Sequence, residues 1–217
     1  MWKVILILAV FFSLLGNSCE SRVFVQNAET PSVVVSPTPS PLSNGFAKPL
    51  PPEQAMYLRE GLKHKAAGEY PEAIEQFKKS IAAGNDDKEM FRRIAELYLA
   101  QKRYVDAETY LREIIEKDAK DAMAHWALAK ILVENLGKFE EGLKEAITSK
   151  ELYGDYDVSY VHDRVIGEAY DGLGDYENAI KHYRIFLRGA SYAPESDDYK
   201  EIKKRVSELE KLVKPKK

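Results

Sequence analysis

The chain has a single cysteine, Cys19, among its 217 residues. A lone cysteine forms no internal disulfide and no cysteine-based metal site. Histidine is also sparse. His64, His125, His162 and His182 include no pair at i,i+4 spacing and no His-Glu-x-x-His motif, so no helical metal site is written here. Positive charge is not in excess: 32 Lys and Arg face 35 Asp and Glu, for a net charge of −3. Phosphate-backbone binding needs a clustered basic face, which argues against a nucleic-acid platform. The apolar run from Val4 to Leu15 holds 12 residues and is broken only by Ser13. That is short of the ~20 residues a membrane-spanning helix needs. Gly172-Leu173-Gly174 has no strand before it and reads as a turn rather than a phosphate loop. The carboxylates alternate with lysines, as in Glu75/Lys79 and Glu141/Lys144/Glu145, the pattern of solvated helix faces. We therefore expect no enzyme, no cofactor and no metal.

What is present begins with an export pattern. Lys3 precedes the apolar run, and Gly16-Asn17-Ser18-Cys19 follows it. The segment resembles the lipobox of bacterial lipoproteins, in which the cysteine is lipidated and becomes the new N-terminus. Gly16 stands where that box has leucine, and Leu15 lies one residue further back. The resemblance implies a lipid anchor at Cys19 and a membrane-attached protein facing the periplasm or cell surface. The alternative is ordinary cleavage with Gly16 and Ser18 as the small residues, which yields a soluble exported protein. Residues 1–18 are thus assigned to the signal.

Residues 19–52 form a tether. Seven of the ten prolines (Pro31, Pro37, Pro39, Pro41, Pro49, Pro51 and Pro52) fall in it, with Ser, Thr, Asn and Gly between them. Such a stretch sustains no helix ladder and buries no core. Fully extended, it reaches roughly 100 Å from its anchor. The 45% apolar and 31% charged composition of the whole chain suits a helix-rich folded region, and that region begins at about residue 53.

An internal repeat dominates residues 53–194. Gly68-Glu69-Tyr70-Pro71-Glu72-Ala73-Ile74 is echoed by Lys102-Arg103-Tyr104-Val105-Asp106-Ala107. It returns as Gly137-Lys138-Phe139-Glu140-Glu141-Gly142-Leu143 and as Gly174-Asp175-Tyr176-Glu177-Asn178-Ala179-Ile180. The small residues Ala73, Ala107, Gly142 and Ala179 lie 34, 35 and 37 apart. A 34-residue period is that of the tetratricopeptide repeat. The region resembles four such repeats, at about 54–87, 88–121, 122–156 and 160–193. The resemblance implies an all-α fold, an α-solenoid of tandem helical hairpins. Gly61, Ala95, Ala129 and Gly167 would be the small residues of the first helices. Phe77, Leu111 and Tyr183 would be the large residues of the second, with Ala146 in the third repeat. The family's late proline is missing, and extra residues fall near Leu136 and between Tyr153 and Tyr160. Asp163 occupies a place for a large apolar residue, so looser stacking is expected there. Residues 195–217 carry Tyr199, Ile202, Val206, Leu209, Leu212 and Val213 at helical spacing and end in a basic tail. They are expected to form a C-terminal capping helix, which terminal repeats require.

In this family the first helices line a concave groove that binds a peptide or protein partner. Carried across by register, the groove residues are Leu58, Leu62 and Lys65, then Arg92, Glu96 and Leu99. Met123, Trp126, Lys130 and Val133 follow in the third repeat, and Arg164, Glu168 and Asp171 in the fourth. Relatives that clamp a chaperone's terminal carboxylate use asparagines where this chain has Leu62, Glu96, Lys130 and Glu168, so that clamp is absent. Trp126, flanked by Met123 and Val133, is the expected anchor point. Its alternative is packing against the next repeat. Arg92 and Arg164 are expected to set the groove's polarity. The implied function is an interaction scaffold of the cell envelope. A self-assembling spacer without a client is the second reading, and a carbohydrate-binding or enzymatic module a remote third.

Overall fold

The computed structural model describes residues 49–154 and 160–213. The export signal, Cys19, nearly all of the tether and the last four residues of the basic tail lie outside the described residues. Among the described residues there are nine helices and no strand. They are α1 (Pro52–Ala67), α2 (Tyr70–Ala82), α3 (Lys88–Ala100), α4 (Tyr104–Lys117), α5 (Ala122–Glu134), α6 (Phe139–Tyr153), α7 (Tyr160–Gly172), α8 (Tyr176–Gly189) and α9 (Asp197–Val213). The first eight pair as four helical hairpins, each stacked on the next. The fold is an all-α solenoid.

Local chemistry sets the helix ends. Pro52 and Pro71 stand in the first turns of α1 and α2, where a missing N–H costs nothing. Side chains of Asp87, Asp121 and Asp175 accept from the first-turn amides of α3, α5 and α8. Each hairpin turns through one residue in the left-handed region: Gly68 (φ 78°), Lys102 (φ 57°), Gly137 (φ 65°) and Gly174 (φ 78°). These four are the turn residues of the sequence repeat.

The small-against-large register is built as the repeat implies. A Cβ on Gly61 would lie 2.5 Å from the Phe77 ring, and one on Gly167 2.5 Å from the Tyr183 ring. The aromatic ring of each second helix therefore rests on bare backbone of the first. Ala95 and Leu111 meet the same need in the second repeat, both buried. In the third repeat Ala146 holds the large position and is itself buried. Val133 packs on Gly142, where an added Cβ would lie 2.4 Å from its Cγ2. Val133 is 6% exposed and belongs to the core, which corrects its assignment to the groove.

Three apolar clusters run along the stack. The first joins α2 to α5, the second α5 to α7, and the third α8 to α9. Helix α9 lays Ile202, Val206 and Leu209 on that third cluster. Between repeats three and four, the expected loosening at Asp163 is not what the fold shows. Asp163 is fully buried, and its carboxylate accepts from Lys150 at 2.6 Å and His182 at 2.7 Å. Burial alone would raise this carboxyl. The two donors outweigh it and hold Asp163 below the usual carboxylate range. Beside it, His162 is packed between the Trp126 and Tyr153 rings and meets Ser149 Oγ at 3.1 Å.

Candidate functional site

The first helices α1, α3, α5 and α7 present their outward side chains on a common face. Ion pairs stitch each to the next. Lys65 of α1 donates to Glu96 of α3 at 2.9 Å. Arg92 of α3 reaches Asp121, the N-cap of α5, at 2.6 Å. Arg164 of α7 reaches back to Glu134 of α5 at 2.7 Å. Arg205 of α9 grips Asp171 of α7 with two bonds of 2.7 and 2.8 Å. The series continues into α9, which thereby stands in the place of a fifth first helix.

This ladder changes the reading of the groove's charges. Arg92 is bound by Asp121 and Glu89, and Arg164 by Glu134 and Glu168. Neither guanidinium is free to set polarity for a ligand. Lys65 and Glu96 neutralise one another. Lys130 of α5 makes no ion pair among the described residues and is half-buried. The pairing was missed because its partners lie 29 to 34 residues apart. Opposite charges recurring at nearly one repeat length were the available signal.

The apolar groove residues divide. Leu62 and Met123 are exposed, Leu58 packs partly against the first cluster, and Val133 is buried. Leu99, Trp126 and Lys130 come together. With Tyr104, Ala127, Ile131, Glu134 and Asn135 they line an open cleft of about 340 Å³. Trp126 also touches His162, ring centroids 4.4 Å apart, and packs on the middle cluster. Trp126 thus packs at the junction between repeats, as its alternative reading had it, and also lines the cleft.

Glu168 lies further along the same face. One carboxylate oxygen accepts from Arg164 at 2.5 Å, while the other is buried without a hydrogen-bond partner among the described residues. Burial pushes its carboxyl up to about 7. Arg164 opposes the rise, and Glu134 and Glu201 add to it. Among the described residues no group of three His, Cys, Asp or Glu side chains could hold a metal ion. None of the described helices is long and apolar enough to cross a membrane.

Residues 65–131 match the sequence profile of the tetratricopeptide repeat family. That segment carries the tetratricopeptide signature. No curated protein matches it in sequence. Solved tetratricopeptide structures share its fold at low identity. The protein MamA of Desulfovibrio magneticus RS-1 superposes with a TM-score of 0.58 at 18% identity, over 75% of this chain and 98% of that one. Another MamA structure gives 0.56 at 19% identity, over 73% and 88%. YrrB, described as a tetratricopeptide protein with an unusual peptide-binding site, gives 0.59 at 20% identity, over 70% and 74%. At such identities the likeness speaks for the tetratricopeptide fold and not for a shared partner.

Proposed function

We propose that this tetratricopeptide chain is a non-catalytic scaffold whose first-helix face seats a segment of a partner protein. We place it at the cell envelope on the strength of the apolar run Val4–Leu15 and Cys19. The observation that carries the reading is the Trp126 cleft. It is open to solvent and lined mainly by apolar groups, with Leu99 and Trp126 as walls and Lys130 at its border. Burying one apolar side chain there contributes about 1.5–3 kcal/mol. That is the scale of an interface anchor, and tryptophan is enriched at such points. YrrB supports the reading as a protein of this fold said to bind a peptide.

The test is site-specific photo-crosslinking from position 99 or 130 in envelope extracts, read by mass spectrometry. A defined protein crosslinked from both positions is expected, with Trp126→Ala weakening its binding about thirtyfold. Because Trp126 also packs on His162, Leu99→Asp serves as a second variant that leaves the Trp126–His162 contact alone. Binding unchanged by both variants, in protein that melts normally, would reject the cleft as the anchor.

A further inference from the structure

Helix α9 buries Ile202, Val206 and Leu209 and leaves its opposite side open. At about 3.6 residues per turn, Lys200, Lys203, Lys204, Ser207 and Lys211 fall in one sector about 100° wide, opposite those three. All five are exposed. No acidic residue of the helix shares the sector. Glu208 and Glu210 flank it and pair with Arg205 and Arg184. Glu201 lies on the same flank as Glu208. Asp197 and Asp198 stand in the first turn, where the helix dipole favours them.

The lysines of this stripe are little neutralised. Lys200 pairs with Glu195, itself 88% exposed, a contact that solvent leaves weak. Lys203, Lys204 and Lys211 make no ion pair among the described residues. Other exposed faces mix their charges: α6 turns Glu140, Glu141, Lys144 and Glu151 to solvent. The excess is local. From Lys200 to Lys217 eight Lys and Arg accompany three Glu, in a chain whose net charge is −3. An apolar edge adjoins the stripe. Leu212 is 62% exposed and Val213 38%, and Lys214, Lys216 and Lys217 follow them in the sequence.

We infer that the outer face of α9 docks on the head groups of an anionic lipid bilayer. The lysines meet lipid phosphates, and Leu212 enters the boundary of the acyl chains. The inference rests on the envelope part of the proposed function and is independent of the Trp126 cleft. The chemistry of the stripe favours a lipid surface over a protein carboxylate. Lysine is a compact point charge on a flexible stem, suited to a diffuse anionic surface, whereas a shaped carboxylate or phosphate site uses the planar fork of arginine. The stripe holds lysine alone, and the one arginine of α9, Arg205, is held by Asp171.

The experiment sediments the full chain, carrying Cys19→Ala so that no acyl group anchors it, with two kinds of vesicle. One is phosphatidylcholine alone, the other phosphatidylcholine and phosphatidylglycerol in equal parts. The apolar run Val4–Leu15 can enter either, so the ratio of the two affinities is the readout. Each lysine at an anionic surface contributes about fivefold. With Lys200 shared with Glu195, the anionic vesicle should be preferred on the order of a hundredfold, and less as salt rises. Replacing Lys200, Lys203, Lys204 and Lys211 together by Gln should abolish most of that preference. Replacing Lys63, Lys79, Lys120 and Lys144 by Gln changes the net charge equally and should leave it. Ser207→Glu, a single exposed change in the middle of the stripe, should cut the preference about fivefold and keeps the test valid where the quadruple variant folds poorly. Equal affinity for both vesicles, a preference that survives the stripe variants, or one lost equally in the control set would overturn the inference. So would binding of a DNA duplex without a lipid preference, which would give the face a different occupant. Crosslinking from position 99 reads the proposed function without this face, so failure of one is told apart from failure of the other.

Discussion

At the scale of single residues, the hairpin turns offer a controlled comparison. Three repeats place glycine in the left-handed turn and one places Lys102 there, at φ 57°. A side chain in that region costs roughly 1–2 kcal/mol, offset in part by the smaller entropy lysine loses on folding. Lys102→Gly should therefore stabilise by about 1 kcal/mol and raise the melting temperature by about 2–4 °C. Gly137→Ala should act in the opposite sense, although nothing lies within 4 Å of the added Cβ. A calorimetric scan in which both variants move the same way would refute the backbone explanation. Glu168 yields a pH effect. Its carboxyl titrates at about 7 in the fold against 4.5 for the free side chain. The folded state thus binds the proton more tightly, and this contribution is complete below about 4.5 and lost as pH rises through 7. The difference corresponds to roughly 3 kcal/mol at most, less because 21% of the side chain is exposed. Glu168→Gln should accordingly gain more in melting temperature at pH 8 than at pH 5, and an equal gain at both would contradict it. The small and large positions were legible from sequence because they recur in register, as with Gly61 and Phe77. Val133 was not, because its burial follows from Gly142 on the facing helix, whose bare backbone the valine contacts.

At the scale of helices, the junction of α6, α7 and α8 departs most from the repeat pattern. Sequence register identified Asp163 as the odd residue. It could not show that Lys150 and His182, 13 and 19 residues away, converge on it. The resulting buried carboxylate replaces an apolar contact with a directional one and fixes how the fourth hairpin meets the third. Removing one member of a buried pair leaves the rest uncompensated, and this is usually more costly than the pair is stabilising. Asp163→Ala should destabilise by about 2–4 kcal/mol, discounted because Lys150 is 33% exposed and can turn toward water. Glu75→Ala, which breaks the exposed pair with Lys79 on α2, should leave the melting temperature unchanged within error. Denaturant melts of the two variants side by side decide the matter, and comparable losses would mean that burial at the junction carries no special weight. The same scale shows where the groove was misread. Arg92 and Arg164 lie on the face that the register implied, but a charge beside a stacked repeat finds a partner there before it meets a ligand.

For the whole molecule, a tetratricopeptide solenoid divides its work between neighbours in contact, and its ends need covering. At the C-terminal end α9 does this while extending the ladder through Arg205 and Asp171. At the other end Leu50, just before α1, and Met56 and Leu62 of α1 are about two-fifths exposed. The residues before them are the Pro-rich tether and the segment ending in Cys19. If that cysteine is acylated, as the lipobox resemblance implies, the repeats hang from a membrane on a leash of roughly 100 Å. A partner embedded in the same membrane would then meet the Trp126 cleft at a raised effective concentration, and a weak contact there would suffice to hold it. The intact mass of the mature protein from native membranes tests this. A mass matching a chain that begins at Cys19 and carries two or three acyl groups is expected, and Cys19→Ala should release the protein from the membrane fraction. An unmodified N-terminus at or beyond position 19 would remove the leash, and the groove would then have to hold its partner by affinity alone.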